Sequence, residues 1–437
     1  MHPIWQIDTD SPGYRTDRKK AGVIVIGAGL TGLLAAWHLR QSGVDVLVLE
    51  AREVGTGTSA GSTGKITSQH RIFYHPFLEA HGEEKARMYA DANQWAVKAY
   101  IDLVESQGID CHLHVHPAYV YSDEDRGILE RENEAALKLG LPSSLESVPV
   151  SANSALCFQD QAQFHPRAFL LGLADKIATG GGGIIEHKRV VAVDEGSTCT
   201  VRTEDGETFE SDYVIFATLF PILDHAYYAV RLTPVQHFGV AYTFEKREFD
   251  GMFIGVDDLS FRYHEDVLIV VGGDQRMGHA QDAYRELDRK ARAKFRVKAE
   301  VARWSAHDYN SGDLVPYIGP YHPGSRRRYA ATGFKAWGLT HAMIAAKLLT
   351  DQIGGRENPW SDLFSPSRTS EALKAMIEQT KSAIKHMMKF GTRCPHMGCA
   401  LVQNQNDNTF DCPCHGSRFD AQGEVLWGPA VKKAKVD

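Results

Sequence analysis

The 437-residue chain has no surplus of positive charge: 48 Lys and Arg stand against 55 Asp and Glu, a formal net charge of −7. That disfavours nucleic acid as a main partner, because phosphate binding needs a basic face. The one dense basic run, Arg326-Arg327-Arg328, lies between a Pro-Gly turn and an expected strand and reads as a solvated loop. Long clean apolar runs are also lacking. The first twenty residues contain nothing of signal-peptide type. The stretch Ala21 to Leu39 is apolar enough to mimic a short span, but it carries four glycines and His38 and divides into strand, turn and helix. No membrane span is expected, and the chain is read as soluble and cytoplasmic. Cysteine is scarce and uneven. Of seven, four fall in the last 45 residues, while Cys111, Cys157 and Cys199 are scattered. A secreted disulfide framework is excluded, leaving a local metal site and inert thiols. No internal repeat is visible. What is present is ordinary globular composition, 43% apolar and 24% charged, in a chain long enough for two or three domains.

The first strong signal is Gly27-Ala28-Gly29-Leu30-Thr31-Gly32. A lone glycine pattern of this kind is weak. Here Val23–Ile26 precedes it as a short buried strand, a helix opens on it at Leu30, and a second strand runs from Asp45 to Glu50. In that βαβ setting each glycine has a task. Gly27 permits the tight turn, Gly29 lets the backbone approach a pyrophosphate, and Gly32 lets helix and strand pack closely. The helix N-terminus at Leu30 and Thr31 offers free N–H groups and a positive dipole end to phosphates. Glu50 is placed to take the ribose hydroxyls of an adenosine. No second fingerprint is found. The nearest, Val270 to Gly278, lacks the spacing; enzymes that use flavin and nicotinamide together usually need two such sites, so for the FAD enzyme that the resemblance below implies, the electron donor is expected to be an organic substrate or a protein.

Further along, helices are expected over 84–107, 124–139, 169–179, 283–302 and 339–353. Strands are expected over 109–121, 184–193, 212–218 and 329–332, with a hairpin turning at Asp205-Gly206 and a strand-rich region at 236–273. One or two helices are expected across 366–389.

The second strong signal lies at the other end. Cys394-Pro395-His396 is followed, fifteen residues on, by Cys412-Pro413-Cys414-His415. Two loops, each supplying one thiolate and one imidazole, fit a Rieske-type 2Fe–2S centre in which Cys394 and Cys412 hold one iron and His396 and His415 the other. Neutral imidazoles make such a cluster easier to reduce than a four-cysteine one, with potentials of about −150 to +300 mV against about −400 mV. A zinc site is the alternative, since four of the six donors would satisfy it. Zinc ribbons favour Cys-x-x-Cys pairs, however, and leave the Gly416-to-Asp420 context unexplained.

Taken together, several segments resemble the D-amino-acid-oxidase-type FAD-dependent oxidoreductases. They are VIVIGAGLTGLLAAWHL…VLVLEA, GTGTSAGSTGKITSQH (55–70), HKRVVAV (187–193), DYVIFAT (212–218) and VPYIGPYHPG…YAATGFKAWGLTHAMIAAKLL (315–349). GKITSQH, NPWSDLFSPSR and CPHMGC…CPCHGSRFD resemble more narrowly the bacterial subset that ends in a Rieske module. The resemblance implies an α/β fold with a Rossmann-like FAD-binding domain, an inserted mixed-sheet substrate domain and a small all-β cluster-binding module. It implies a tail over 1–20 and an oxidoreductase unit over 21–365, with FAD segments 21–80, 155–220 and 313–355 and substrate segments 90–150 and 225–310. A helical linker over 366–390 would lead to a shortened module over 391–437, its usual leading strands replaced by helix. Beside the glycines and Glu50, it implies FAD contacts from Ala51, from Thr63, Gly64, Lys65 and Ile66 near the pyrophosphate and flavin, from Val190 against the adenine, and from Ala217. Gly333, Phe334, Trp337, Gly338 and Thr340 would approach the pyrimidine end of the flavin, where the helix from about 339 favours negative charge. Similarity to respiratory-type Rieske proteins implies a Cys399–Cys414 disulfide joining the ligand loops. It also makes Ser417 a hydrogen-bond donor to a cluster sulfur, and puts Phe419 where high-potential members carry tyrosine.

Catalytic residues are not legible. Lys65 and His70 could stabilise negative charge at the reduced ring or act as a base, but phosphate or backbone support is the favoured role. His112, His114 and His116 alternate on one face of an expected strand and read as a polar face rather than a metal site. The expected activity is a dehydrogenase that oxidises a small molecule, by analogy an amine or amino acid, and passes electrons from FAD to the 2Fe–2S cluster and on to an unidentified acceptor. Two alternatives remain: an electron-transfer carrier between protein partners, and a zinc or disulfide-stapled interaction module at the C-terminal end. A ring-hydroxylating oxygenase is disfavoured for want of a carboxylate–histidine triad.

Overall fold

The computed structural model describes residues 3–7, 9–151, 153–224, 227–256, 258–278, 282–368 and 373–436. Three sheets organise them. The first runs Tyr317–Pro320, Arg328–Thr332, Thr208–Phe216, Lys20–Ile26, Val46–Leu49, Gly183–Ile185. Lys20–Ile26 pairs in parallel with Thr208–Phe216 on one side and Val46–Leu49 on the other. Val23, Ile24 and Val25 are fully buried, as are Val46 to Leu49. Strands buried on both faces read as continuous apolar runs, the mark of a parallel sheet covered by helices. Leu30–Gln41, Pro166–Thr179 and Gly338–Ile353 contribute to the core on one side of it. The hairpin Val190–Glu195, Cys199–Thr203 extends the sheet from Thr208–Phe216.

The second sheet has nine strands in the order Val297–Ser311, Leu232–Phe244, Val267–Arg276, Ser260–His264, Met252–Gly255, His114–Tyr121, Ser154–Gln163, Lys65–Ile66, with Ser143–Ser147 beside Ser154–Gln163. Its longest pairing joins Val297–Ser311 to Leu232–Phe244, from Leu232 opposite Ser311 to Phe244 opposite Val297. The third sheet is small and antiparallel: Val402–Asn404, Thr409–Asp411, Arg418–Phe419, Val425–Trp427. The architecture is therefore a Rossmann-like half, a mixed-sheet half and an all-β C-terminal module.

Several expected elements shift. The helix expected over 283–302 ends at Lys294, and residues from Val297 form the edge strand of the second sheet. Phe295 is extended and buried, and stops the helix. The strand expected over 184–193 divides at His187, whose φ of 57° turns the chain. The helix expected from Glu84 starts at Tyr74 and breaks at Gly82, where φ is 80°. The strand expected over 109–121 starts at His114, because His112 has φ of 51° and pairs with Glu265 at 2.9 Å. The three-histidine face thus reduces to His114 and His116. The Arg326–Arg328 run is structured rather than merely solvated. The Glu195 carboxylate accepts from the Arg326 and Arg327 amides and pairs with Arg328 at 2.7 Å. The expectation over 366–389 falls partly on 369–372, outside the described residues, and a helix spans Leu373–Met387.

Candidate active site and cluster loops

The glycine turn is built as its spacing demands. A Cβ on Gly27 (φ 104°) would lie 2.7 Å from the Ala217 carbonyl oxygen, and one on Gly32 would lie 1.8 Å from the Gly27 oxygen. Neither position admits a side chain. The Glu50 carboxylate accepts from the Ala28 amide at 2.7 Å and from the Arg52 amide at 2.8 Å. It thus ties the turn to the end of the second strand, and Glu50 also lines the cavity.

That cavity, about 740 Å³, runs along the C-terminal ends of the parallel strands. Gly27, Gly29, Leu30, Thr31, Glu50, Ala51, Thr63, Lys65, Val190, Ala217, Phe334, Trp337, Gly338 and Thr340 all line it. Four others expected at the cofactor lie off its wall. Gly32 is the helix–strand packing glycine. Gly64 turns the chain at φ 70° with its Cβ position against Phe164, Ile66 is fully buried in the core, and Gly333 makes a turn at φ 78°. The helix Gly338–Ile353 presents its first residues, Gly338, Leu339 and Thr340, to the cavity, so its positive dipole end favours negative charge there.

Lys65 and His70 are both buried on this wall. Lys65 Nζ donates to the Phe253 carbonyl at 2.6 Å. Burial, then the Arg262 and Arg71 charges, pushes its ammonium well down from the usual lysine value. His70 stacks on Trp337, ring centroids 4.6 Å apart. Its Nδ1 lies 2.7 Å from the Tyr89 hydroxyl, and its Nε2 lies 3.1 Å from the Thr67 oxygen and 3.2 Å from Thr340 Oγ1. Tyr89 continues to His341 Nε2 at 3.0 Å, and His341 Nδ1 to the Phe334 oxygen at 3.0 Å. Burial drives both imidazoles down from their ordinary value. With both ring nitrogens engaged, His70 braces the cavity wall.

Sequence reasoning missed the charged cluster opposite. Asp274 accepts from Arg71 at 2.9 Å and pairs with His237 Nδ1 at 2.8 Å. Burial works to raise this carboxyl, but His237 and then Arg71 outweigh it and hold it well below the usual carboxylate range. Lys335, also on the wall, is pushed down to about 8 by burial and then by Arg71. Arg71 stands 203 positions before Asp274, and His237 37 before it, so no local pattern announces them.

At the C-terminal module the four expected ligands converge. The His396 and His415 rings lie 5.1 Å apart. Cys394 and Cys412 share a hydrogen bond that lowers the first thiol and raises the second. The ligand loops close on themselves through Cys394 N to Cys399 O and Gly416 N to Cys412 O, each 2.9 Å. Cys399 and Cys414 form a disulfide, and its sulfurs lie within 4.8 Å of Cys412 Sγ. Ser417 bonds to Cys394 as well as accepting from the Ala430 amide at 3.0 Å, and Phe419 is fully buried. His415 Nδ1 is buried without a hydrogen-bond partner among the described residues, as a metal-ligating nitrogen would be. Two thiols and two imidazoles at one point therefore fit the cluster. The scattered thiols behave otherwise: burial raises Cys111 and Cys157 to about 12 and Cys199 to about 11, leaving them inert.

The module is docked by specific contacts. Tyr309 donates to the His415 carbonyl at 2.9 Å. Ser305 Oγ lies 2.6 Å from Asp407, and Arg418 bonds to Ser305 and to Asp407 as well as to its own Asp411. Ser305 and Tyr309 project from one face of Val297–Ser311. Ala306, Asp308 and Asn310, on the other face, line the large cavity, which also reaches His307 on the Tyr309 face. The helix Leu373–Met387 covers the loops from the other side, with Gln379 donating to the Cys414 carbonyl.

Comparison with known proteins agrees at both ends. Residues 22–352 match the family model described as FAD dependent oxidoreductase, and residues 376–436 match that described as Rieske [2Fe-2S] domain. YhfW of Bacillus subtilis (strain 168), whose name is that of a Rieske 2Fe-2S iron-sulfur protein, is 30% identical over 99% of this chain and 96% of its own. Gamma-glutamylputrescine oxidoreductase of Escherichia coli (strain K12) is 28% identical over 45% of this chain and 48% of its own. Among solved structures, glycine oxidase from Geobacillus kaustophilus superposes with a TM-score of 0.70 at 17% identity, over 80% of this chain and all of that one. Among the described residues no helix is long and apolar enough to cross a membrane. The chain belongs to the FAD dependent oxidoreductases, binds FAD, and carries a Rieske domain for a 2Fe–2S cluster at its C-terminal end.

Proposed function

We propose that this oxidoreductase is a dehydrogenase for a small amine or amino acid, and that its electrons leave the flavin through the Rieske centre. FAD supplies acceptance of an electron pair from an organic substrate, and a 2Fe–2S centre supplies transfer of one electron at a time. The observation that carries the reading is the strand Val297–Ser311, whose Asp308 lines the cavity while its Tyr309 bonds to the loop of His415, which supports a short route between flavin and cluster. The Tyr309 carbonyl also accepts from the Lys335 amide at 3.2 Å, which continues the path into the loop beside Trp337.

The cavity supports the substrate class. Lys335, beside the Asp274-paired Arg71, supplies a cationic donor for a carboxylate, while Ile72, Ile254, Val256 and Val271 supply apolar wall. The relative named as a gamma-glutamylputrescine oxidoreductase supports amine chemistry on this scaffold.

The test is anaerobic mixing of the FAD- and cluster-loaded protein with a panel of amines and amino acids. Bleaching of the flavin followed by the rhombic EPR signal of a reduced Rieske centre is expected. Flavin bleaching without cluster reduction would sink the internal relay. Failure of every amine to bleach the flavin, with reduction by a protein carrier instead, would replace the dehydrogenase by an electron-transfer carrier.

A further inference from the structure

The strand Val425–Trp427 belongs to the Rieske module, yet it closes the flavin cavity. Leu426, Trp427 and Gly428 line the same space as the glycine turn. Trp427 pairs with Arg418 in the small sheet, three residues after the ligand His415. Its position is the adenosine end. The Arg52 guanidinium, two residues beyond Glu50, lies 5.8 Å from the Trp427 ring, and Arg189, next to Val190, donates to the Val425 carbonyl at 3.3 Å.

Two polar groups there have no partner among the described residues. Trp427 Nε1 is buried and bonds to nothing, and so are both ring nitrogens of His307, whose ring lies 4.8 Å from the indole. His307 is 2% exposed and also lines the cavity. A buried indole N–H left unmade costs free energy. Both residues line the nucleotide cavity, so a ligand acceptor there would satisfy a donor the protein leaves unpaired among the described residues. The ribose, pyrophosphate and adenine of FAD all offer acceptors.

We propose that Trp427, contributed by the Rieske domain, is an FAD-binding residue whose indole N–H bonds to the adenosine diphosphate half of the cofactor, with His307 as its neighbour. The flavin site is then completed by the second domain. The seated Rieske module then adds to the retention of FAD. The inference rests on FAD being the cofactor and not on the direction of electron flow, so it stands or falls separately from the dehydrogenase reading.

The experiment uses full-length, cluster-loaded protein stripped of FAD and titrated with FAD, followed by quenching of flavin fluorescence. ADP competition locates the effect. Trp427→Phe keeps the ring and loses the donor, and is expected to weaken FAD and ADP by the same factor, about fivefold to tenfold, the worth of one buried hydrogen bond. Trp427→Ala also removes the ring and is expected to weaken both further. The EPR spectrum of the reduced cluster reports whether the module is intact in each variant. If Trp427→Ala loses that signal, Trp427→Phe decides alone. Wild-type FAD affinity in Trp427→Phe, or weakened FAD binding with unchanged ADP binding, would overturn the proposal.

Discussion

The Tyr309 hydroxyl donates to the His415 carbonyl oxygen at 2.9 Å, joining the longest strand of the second sheet to a cluster-ligand loop. Tyr309 is 1% exposed, and a Cβ on Gly416 would lie 2.3 Å from its hydroxyl oxygen. The contact is therefore tight as well as polar. Tyr309→Phe should cost about 1 kcal/mol of stability, the net worth of one hydrogen bond. It should also shift the g-values of the reduced cluster, because the ligand loop loses its anchor. Thermal melting and EPR check the two effects. Unchanged values in both would show that the loop is held by its other contacts.

Arg418 is the electrostatic centre of the docked module. It is 1% exposed and bonds to both oxygens of Asp411, at 2.7 and 2.8 Å, as well as to Asp407 at 3.1 Å. Asp411 is equally buried. Removing one partner of a buried pair strands the other charge, at a cost of about 3–5 kcal/mol. Arg418→Met should therefore release the module and the cluster. Iron content after gel filtration measures this, and Asp411→Asn combined with Arg418→Met should recover part of the loss.

Gly32 permits no side chain, since a Cβ there would meet the Gly27 oxygen at 1.8 Å. Gly32→Ala must push the helix Leu30–Gln41 away from the first strand and open the phosphate turn. Expression without bound flavin is the expected outcome, read from the absorption spectrum. A yellow protein with normal FAD affinity would contradict this geometry.

Asp308 makes stability depend on pH. Burial pushes its carboxyl up to about 6 from an ordinary 3.8, against the lowering hydrogen bonds from the Tyr309 and Ala336 amides. An acid with a raised folded pKa holds its proton longer in the native state. Between about pH 4 and 6 the native protein therefore binds more protons than the unfolded chain, and its stability falls as pH rises through that window. Asp308→Asn should remove this fall, a difference on the order of 1–3 kcal/mol. Melting temperatures of both proteins across pH 4 to 7 provide the measurement.

Local pattern made the nucleotide turn and the two cysteine–histidine loops legible because each is set by short-range chemistry. Gly27, Gly29 and Gly32 answer to the sterics of one turn, and Cys394, His396, Cys412 and His415 to the donor set of one metal pair. The parallel strands were legible for a similar reason, since a strand buried on both faces is apolar throughout. The helix expected to run to Ala302 was misjudged because its last six residues, Val297 onward, begin an edge strand chosen by twelve pairings with a distant segment. Likewise, the Arg71–Asp274–His237 cluster, the Tyr309 anchor and the unpartnered indole of Trp427 exist only where remote strands meet. Sequence determined which groups this protein brings to redox chemistry, through turns and ligand spacings a few residues long. Tertiary structure alone decided that Val297–Ser311 meets both the cavity and the His415 loop, because packing between distant segments is not encoded in any single stretch of chain.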